Sequence, residues 1–194
     1  KSQTENAFKA NRISANVIRL CHSIEKGLCI EDPRLGFGMQ KIQSILEYSK
    51  EYLINKYPDL FCIYVAADSL FAYFNFHDNQ HFSNEKYELI KEQYQTLLSQ
   101  YVKHQYGGTT MLCRSDMSFH IEDVENLFNT RHSIRQFGED KVKIEDIKKA
   151  IELAQRAPSA CNRQAVRVYI IDAPKYIHDI GTDLDGIGGF TNDV

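Results

Sequence analysis

Residues 130–171 read Thr130-Arg-His-Ser-Ile-Arg-Gln-Phe-Gly-Glu-Asp-Lys-Val-Lys-Ile-Glu-Asp-Ile-Lys-Lys-Ala-Ile-Glu-Leu-Ala-Gln-Arg-Ala-Pro-Ser-Ala-Cys-Asn-Arg-Gln-Ala-Val-Arg-Val-Tyr-Ile-Ile171, and their pattern decides how the fold is read. A basic, hydroxyl-bearing turn comes first. An amphipathic helix follows over about 144–157, with Ile144, Ile147, Ile151 and Ala154 on one face. Pro158 ends it, and a polar loop runs on to Gln164. Val166–Ile171 then has the β-branched content and partial alternation of a strand.

The N-terminal side of this stretch has a different texture. Ile13, Val17, Leu20 and Ile24 recur at helical spacing, and Gly27 reads as a C-terminal stop. A second helix is predicted from Met39 to about Tyr57, closed by Pro58. A third, from Asp59 to about Phe76, is apolar nearly all round, so it belongs inside a helical cluster. Asn84 is placed to cap a fourth, whose stripe is Tyr87, Ile90, Tyr94, Leu97, Leu98 and Tyr101, ended by Gly107-Gly108. The polar stretch 109–118 marks a boundary. Two regions follow: a helical one over 1–115 and a second over 116–194, in which a short helix at about 121–128 leads into the turn and Pro174 opens another to about Ile180.

Composition narrows the function classes. The chain has 194 residues, 43% hydrophobic and 25% charged, with a net charge of −3 and a pI near 6.2. That balance gives no reason to expect nucleic acid or an anionic membrane as partner. The five cysteines are odd in number and form no CxxC pair, which argues against a disulfide framework or a structural zinc site and for a reducing, cytoplasmic setting. The longest apolar run, Phe61–Phe76, contains Asp68 and is short for a membrane span, and no signal peptide is visible. The chain begins at Lys1 and ends after a glycine-rich turn, and it reads as a fragment.

Arg131, Ser133 and Arg135 alternate, so an extended backbone presents them on one side, with His132 and Ile134 on the other. Two guanidiniums and a hydroxyl suit a phosphate, onto which arginine forks with charge-assisted hydrogen bonds. The plainer alternative is a solvated basic turn paired with Glu139 or Asp140. In the loop, Ser159, Asn162 and Gln164 offer short hydroxyl and amide groups. An amide donates and accepts at once, which fits the mixed edge of a flavin or pyrimidine ring. Here the plainer alternative is ordinary turn chemistry, with Ser159 and Asn162 bonding their own backbone. His77 and His81 are four apart but have no third ligand in view, Asp78-Asn79 between them reads as a turn, and Glu25-Lys26 reads as a solvated helix end.

Taken together, Arg131-His132-Ser133-Ile134-Arg135-Gln136-Phe137, the helix end Ala157-Pro158-Ser159-Ala160, and Asn162-Arg163-Gln164 before a strand resemble the N-terminal half of the nitroreductase family. The resemblance covers roughly Phe119 to Ile180. It implies an α+β, nitroreductase-like partial core behind a mainly helical N-terminal region. It also implies FMN held at a homodimer interface, NAD(P)H as reductant, and a nitro, quinone-like or other small-molecule electron acceptor. In that family the turn binds the phosphate, ribityl chain and ring edge, which implicates Arg131, Ser133 and Arg135, with His132 in the same turn. The loop reaches the flavin from the partner subunit, which implicates Pro158, Ser159, Ala160, Asn162 and Gln164. No protein nucleophile or acid–base residue is implied, because the hydride chemistry belongs to the cofactor. Ala165-Val166 departs from the family, which usually has an aromatic residue there, and the family's later flavin contacts have no counterpart before Val194. Two other readings stay open: a catalytically degenerate binding or scaffolding protein, and a phosphometabolite-binding module without redox chemistry.

Overall fold

The computed structural model describes residues 3–113, 115, 118, 120–134, 138 and 140–184. They divide into two compact units, one of Lys1–Met111 with Pro158–Gln164, the other of Leu112–Ala157 with Ala165–Val194.

The first unit is a helical bundle. Its helices are α1 (Gln3–Leu28), α2 (Met39–Ile54), α3 (Phe61–Asn79) and α4 (Glu85–Leu97), followed by a single 3₁₀ turn at Ser99–Tyr101. Ile13, Val17 and Ile24 of α1 are buried at the spacing that sequence predicts. α1 packs on α2 and α3, and α4 closes against both of those helices. α3 is the inner helix. It buries Ile63, Ala66, Ala67, Leu70 and Tyr73 completely, and with them Asp68 and His77. The Asn84 side chain caps α4, accepting the Tyr87 N–H at 2.8 Å.

Boundaries differ where side chains outvote local signals. α1 runs through Gly27, which lies against the Phe37 ring and does not stop the helix. α3 continues through Asp78-Asn79, read from sequence as a turn. It extends because Asp78 has partners on α4: Tyr87 Oη donates to Oδ1 at 2.8 Å, and Lys91 Nζ reaches both carboxylate oxygens at 2.8 Å.

In the second unit the described helices are α5 (Ile121–Thr130), α6 (Ile144–Ala154) and α7 (Pro174–Asp183). None of them buries a residue completely. Ile144, Ile147 and Ile151 of α6 are half-buried on one face, whereas Ala154 is exposed. The expected α+β, nitroreductase-like fold class is corrected here: the described residues contain helices and no strand. Val166–Ile171 joins no ladder, and Val166 and Tyr169 are 75% and 86% exposed. The reason is physical. A strand exists through hydrogen bonds to a neighbouring edge, and no described segment supplies one.

Candidate functional site

The turn begins where α5 ends. The Arg131 N–H closes the last helical turn onto the Leu127 carbonyl at 3.1 Å, and its own φ of −72° and ψ of 116° send the chain into extended backbone. Arg131, His132, Ser133 and Ile134 are all exposed. Arg135, with Gln136 and Phe137, lies outside the described residues. The turn departs from the carboxyl end of α5, the negative end of its dipole. What the described part of the turn offers an anion is the side-chain charge of Arg131.

The loop belongs to the first unit, where its tight turn at Ala160–Asn162 packs on α1. The structure therefore assigns the two halves of the predicted site to different units. Arg131, His132 and Ser133 lie in one; Pro158, Ser159, Ala160, Asn162 and Gln164 lie in the other.

The loop is organised by its own polar groups. The Asn162 N–H donates to the Ser159 carbonyl at 2.9 Å, and the Gln164 N–H to Ser159 Oγ at 3.1 Å. Gln164 Nε2 donates to Asn162 Oδ1 at 2.9 Å. Cys161, Asn162 and Gln164 take left-handed backbone, at φ of 52°, 50° and 47°. The turn chemistry weighed from sequence as the plainer alternative is thus present at Ser159, together with an amide–amide bond that sequence did not predict.

Sequence reasoning missed a polar cluster inside the first unit. Asp68, 2% exposed, receives four backbone N–H groups: Lys103 at 2.7 Å and His104 at 3.0 Å on Oδ1, Gln105 and Tyr106 at 2.9 Å on Oδ2. Burial pushes its pKa up, but the four N–H donors outweigh that and hold the carboxyl below its usual range. Glu25 Oε1 receives the Ser69 hydroxyl at 2.7 Å and the Gly108 N–H at 3.0 Å, so Glu25 is not the solvated helix end that sequence suggests. The signal was present: a lone carboxylate in an apolar helix, and a Gly-Gly pair downstream to supply close backbone.

His77 is fully buried among Phe37, Tyr73, Phe76, Phe82 and Tyr87. Its Nδ1 lies 2.8 Å from the Tyr73 carbonyl, and Nε2 has no partner. Desolvation lowers its pKa against smaller opposing effects of the Tyr73 carbonyl and Asp78. His81 sits beyond the helix in a left-handed turn. Among the described residues no group of three or more His, Cys, Asp or Glu side chains is placed to hold a metal, and no helix is long and apolar enough to cross a membrane.

Residues 129–183 match the model of the nitroreductase family. No curated protein and no solved structure gives a match. The matched segment, under a third of the chain, includes the turn, α6, the loop and α7, and over it the chain is similar to part of the nitroreductase core. At the level of the family, this points to flavin-dependent oxidoreductases. Arg131 and Ser133, whose donor chemistry suits a phosphate, are exposed to solvent. The loop carries amides suited to a ring edge, although Asn162 and Gln164 are bonded to each other in this conformation.

Proposed function

We propose that the chain is part of an FMN-dependent oxidoreductase of the nitroreductase type, which takes electrons from NAD(P)H and passes them to a nitro, quinone-like or other small-molecule acceptor. The observation that carries this reading is the family match over 129–183, which contains both polar segments picked out from sequence. When bound, FMN would supply hydride transfer; the protein's part is to bind, orient and bias the charge of the cofactor.

In this reading Arg131, Ser133 and Arg135 hold the phosphate, with His132 beside them in the turn. Guanidinium charge suits a dianion beside the carboxyl end of α5, whose own dipole disfavours one. Pro158, Ser159, Ala160, Asn162 and Gln164 address the ring edge of a flavin in a second copy of the chain, so the working form is a homodimer. The amides read the alternating donors and acceptors of that edge.

The test is direct binding. Purified protein is incubated with FMN, separated from free flavin, and examined for flavin absorbance that bleaches with NAD(P)H. Arg131→Ala and Arg135→Ala should each weaken FMN binding by about 1.5–3 kcal/mol, the worth of a charged hydrogen bond. Wild-type protein that takes up no FMN, or two variants with unchanged affinity, would overturn the assignment.

A further inference from the structure

We infer that Pro158–Gln164 is a latch: seated against α1 it commits Ser159 Oγ and Asn162 Oδ1 to Gln164, and it must leave that state before Ser159, Asn162 and Gln164 can address a ligand. This rests on the flavin reading above. The ligand class is a planar heterocycle with a mixed donor–acceptor edge.

Three observations carry the inference. The first is bonding: Ser159 Oγ receives the Gln164 N–H, and the Asn162 carbonyl oxygen receives the Gln164 amide, so three side chains suited to a ring edge are engaged within seven residues. The second is backbone: Cys161 and Gln164 hold left-handed φ, which such residues adopt at a cost, on either side of Asn162, which tolerates it. The seated state is therefore maintained by its internal bonds and its contact with α1, not by local preference. The third is location. The loop lies within the family-matched segment yet groups with the helical bundle, while the residues on either side of it group with the other unit. A ligand that binds only the released state sees its affinity scaled by the released fraction.

Cys161 tests this because none of the proposed flavin contacts involves it. Glycine accepts left-handed backbone freely, so Cys161→Gly should favour the seated loop; a β-branched residue resists it, so Cys161→Val should favour release. In the full-length chain, hydrogen exchange at the Gln164 N–H should slow roughly five-fold in the glycine variant and speed up by a similar factor in the valine variant, given the usual cost of left-handed backbone. FMN affinity should move in step, weaker for glycine and tighter for valine. Exchange that shifts while FMN affinity stays the same in both variants would overturn the gating role, and exchange unmoved in both would overturn the latch itself. Absence of FMN binding in the wild type and both variants would instead sink the flavin reading, and the gate with it.

Discussion

The Glu25 carboxylate accepts the Gly108 N–H at 3.0 Å across 83 residues of sequence, and the same oxygen takes the Ser69 hydroxyl at 2.7 Å. One side chain on α1 thus ties α3 and the segment after α4 to each other. Glu25→Ala should destabilise the first unit by about 1.5–3 kcal/mol, since a partly buried N–H and a hydroxyl lose a charged acceptor. Glu25→Gln, which keeps an acceptor oxygen, should cost less. Urea unfolding followed by circular dichroism reads both.

Asp68 performs the same task with more donors. Asp68→Asn leaves one acceptor oxygen where four N–H groups converge, and should cost at least as much as Glu25→Ala, about 2–4 kcal/mol. The wild-type contribution depends on pH with a definite sign. The folded carboxyl titrates below its ordinary value, so its contribution is present above that value of 3.8 and is lost as pH falls through the lower folded pKa. Acid unfolding below about pH 4 should be less steep in Asp68→Asn.

His77 acts in the opposite sense. Its folded pKa lies below the ordinary 6.5, so the unfolded chain takes up the proton first. Stability should therefore fall as pH drops below about 6.5 and level off only below the folded pKa. His77→Phe replaces the imidazole with a ring suited to the surrounding aromatic side chains and removes the unpartnered Nε2. Denaturant midpoints at pH 7.5, 6.5 and 5.5 should converge in this variant; a slope equal to that of the wild type would refute the role given to His77.

Gly107 has no room for a side chain. A Cβ there would lie 2.5 Å from Ser69 Oγ and 2.6 Å from the Val65 carbonyl oxygen. The hydroxyl can rotate, but the helix carbonyl cannot move without disturbing α3. Gly107→Ala should cost about 1–3 kcal/mol, as overpacking does, and a thermal melt is sufficient to detect it.

The helices of the first unit were readable because each carries its own record. Ile13, Val17 and Ile24 repeat at the helical period, and Asn84 announces a start that its capping bond to Tyr87 bears out. Ends were harder. Gly27 and Asp78-Asn79 look like stops locally, but Phe37 packs over the glycine, and Tyr87 with Lys91 holds Asp78 in the helix. Val166–Ile171 shows the deeper limit. β-branched residues state a preference for a pleated surface, but pairing is a property of two segments and cannot be written in one. At the candidate site, the residue types were legible in Arg131, Ser133, Asn162 and Gln164, and the family match covers them. Which unit each side chain belongs to, and the bond that joins the Asn162 and Gln164 amides, depend on tertiary arrangement and left no trace in composition or spacing.

The carboxylate clamp on 103–108 also fixes an order of events in folding. Glu25 and Asp68 meet their backbone partners only across separations of 35 to 83 residues, so those bonds wait until α1 and α3 have packed. A clamp that forms only after that packing would be largely absent from the transition state. Weakening it should leave the refolding rate almost unchanged and raise the unfolding rate by nearly the full amount of the lost stability. These two carboxylates would then govern how long the bundle lasts once formed, rather than how quickly it forms.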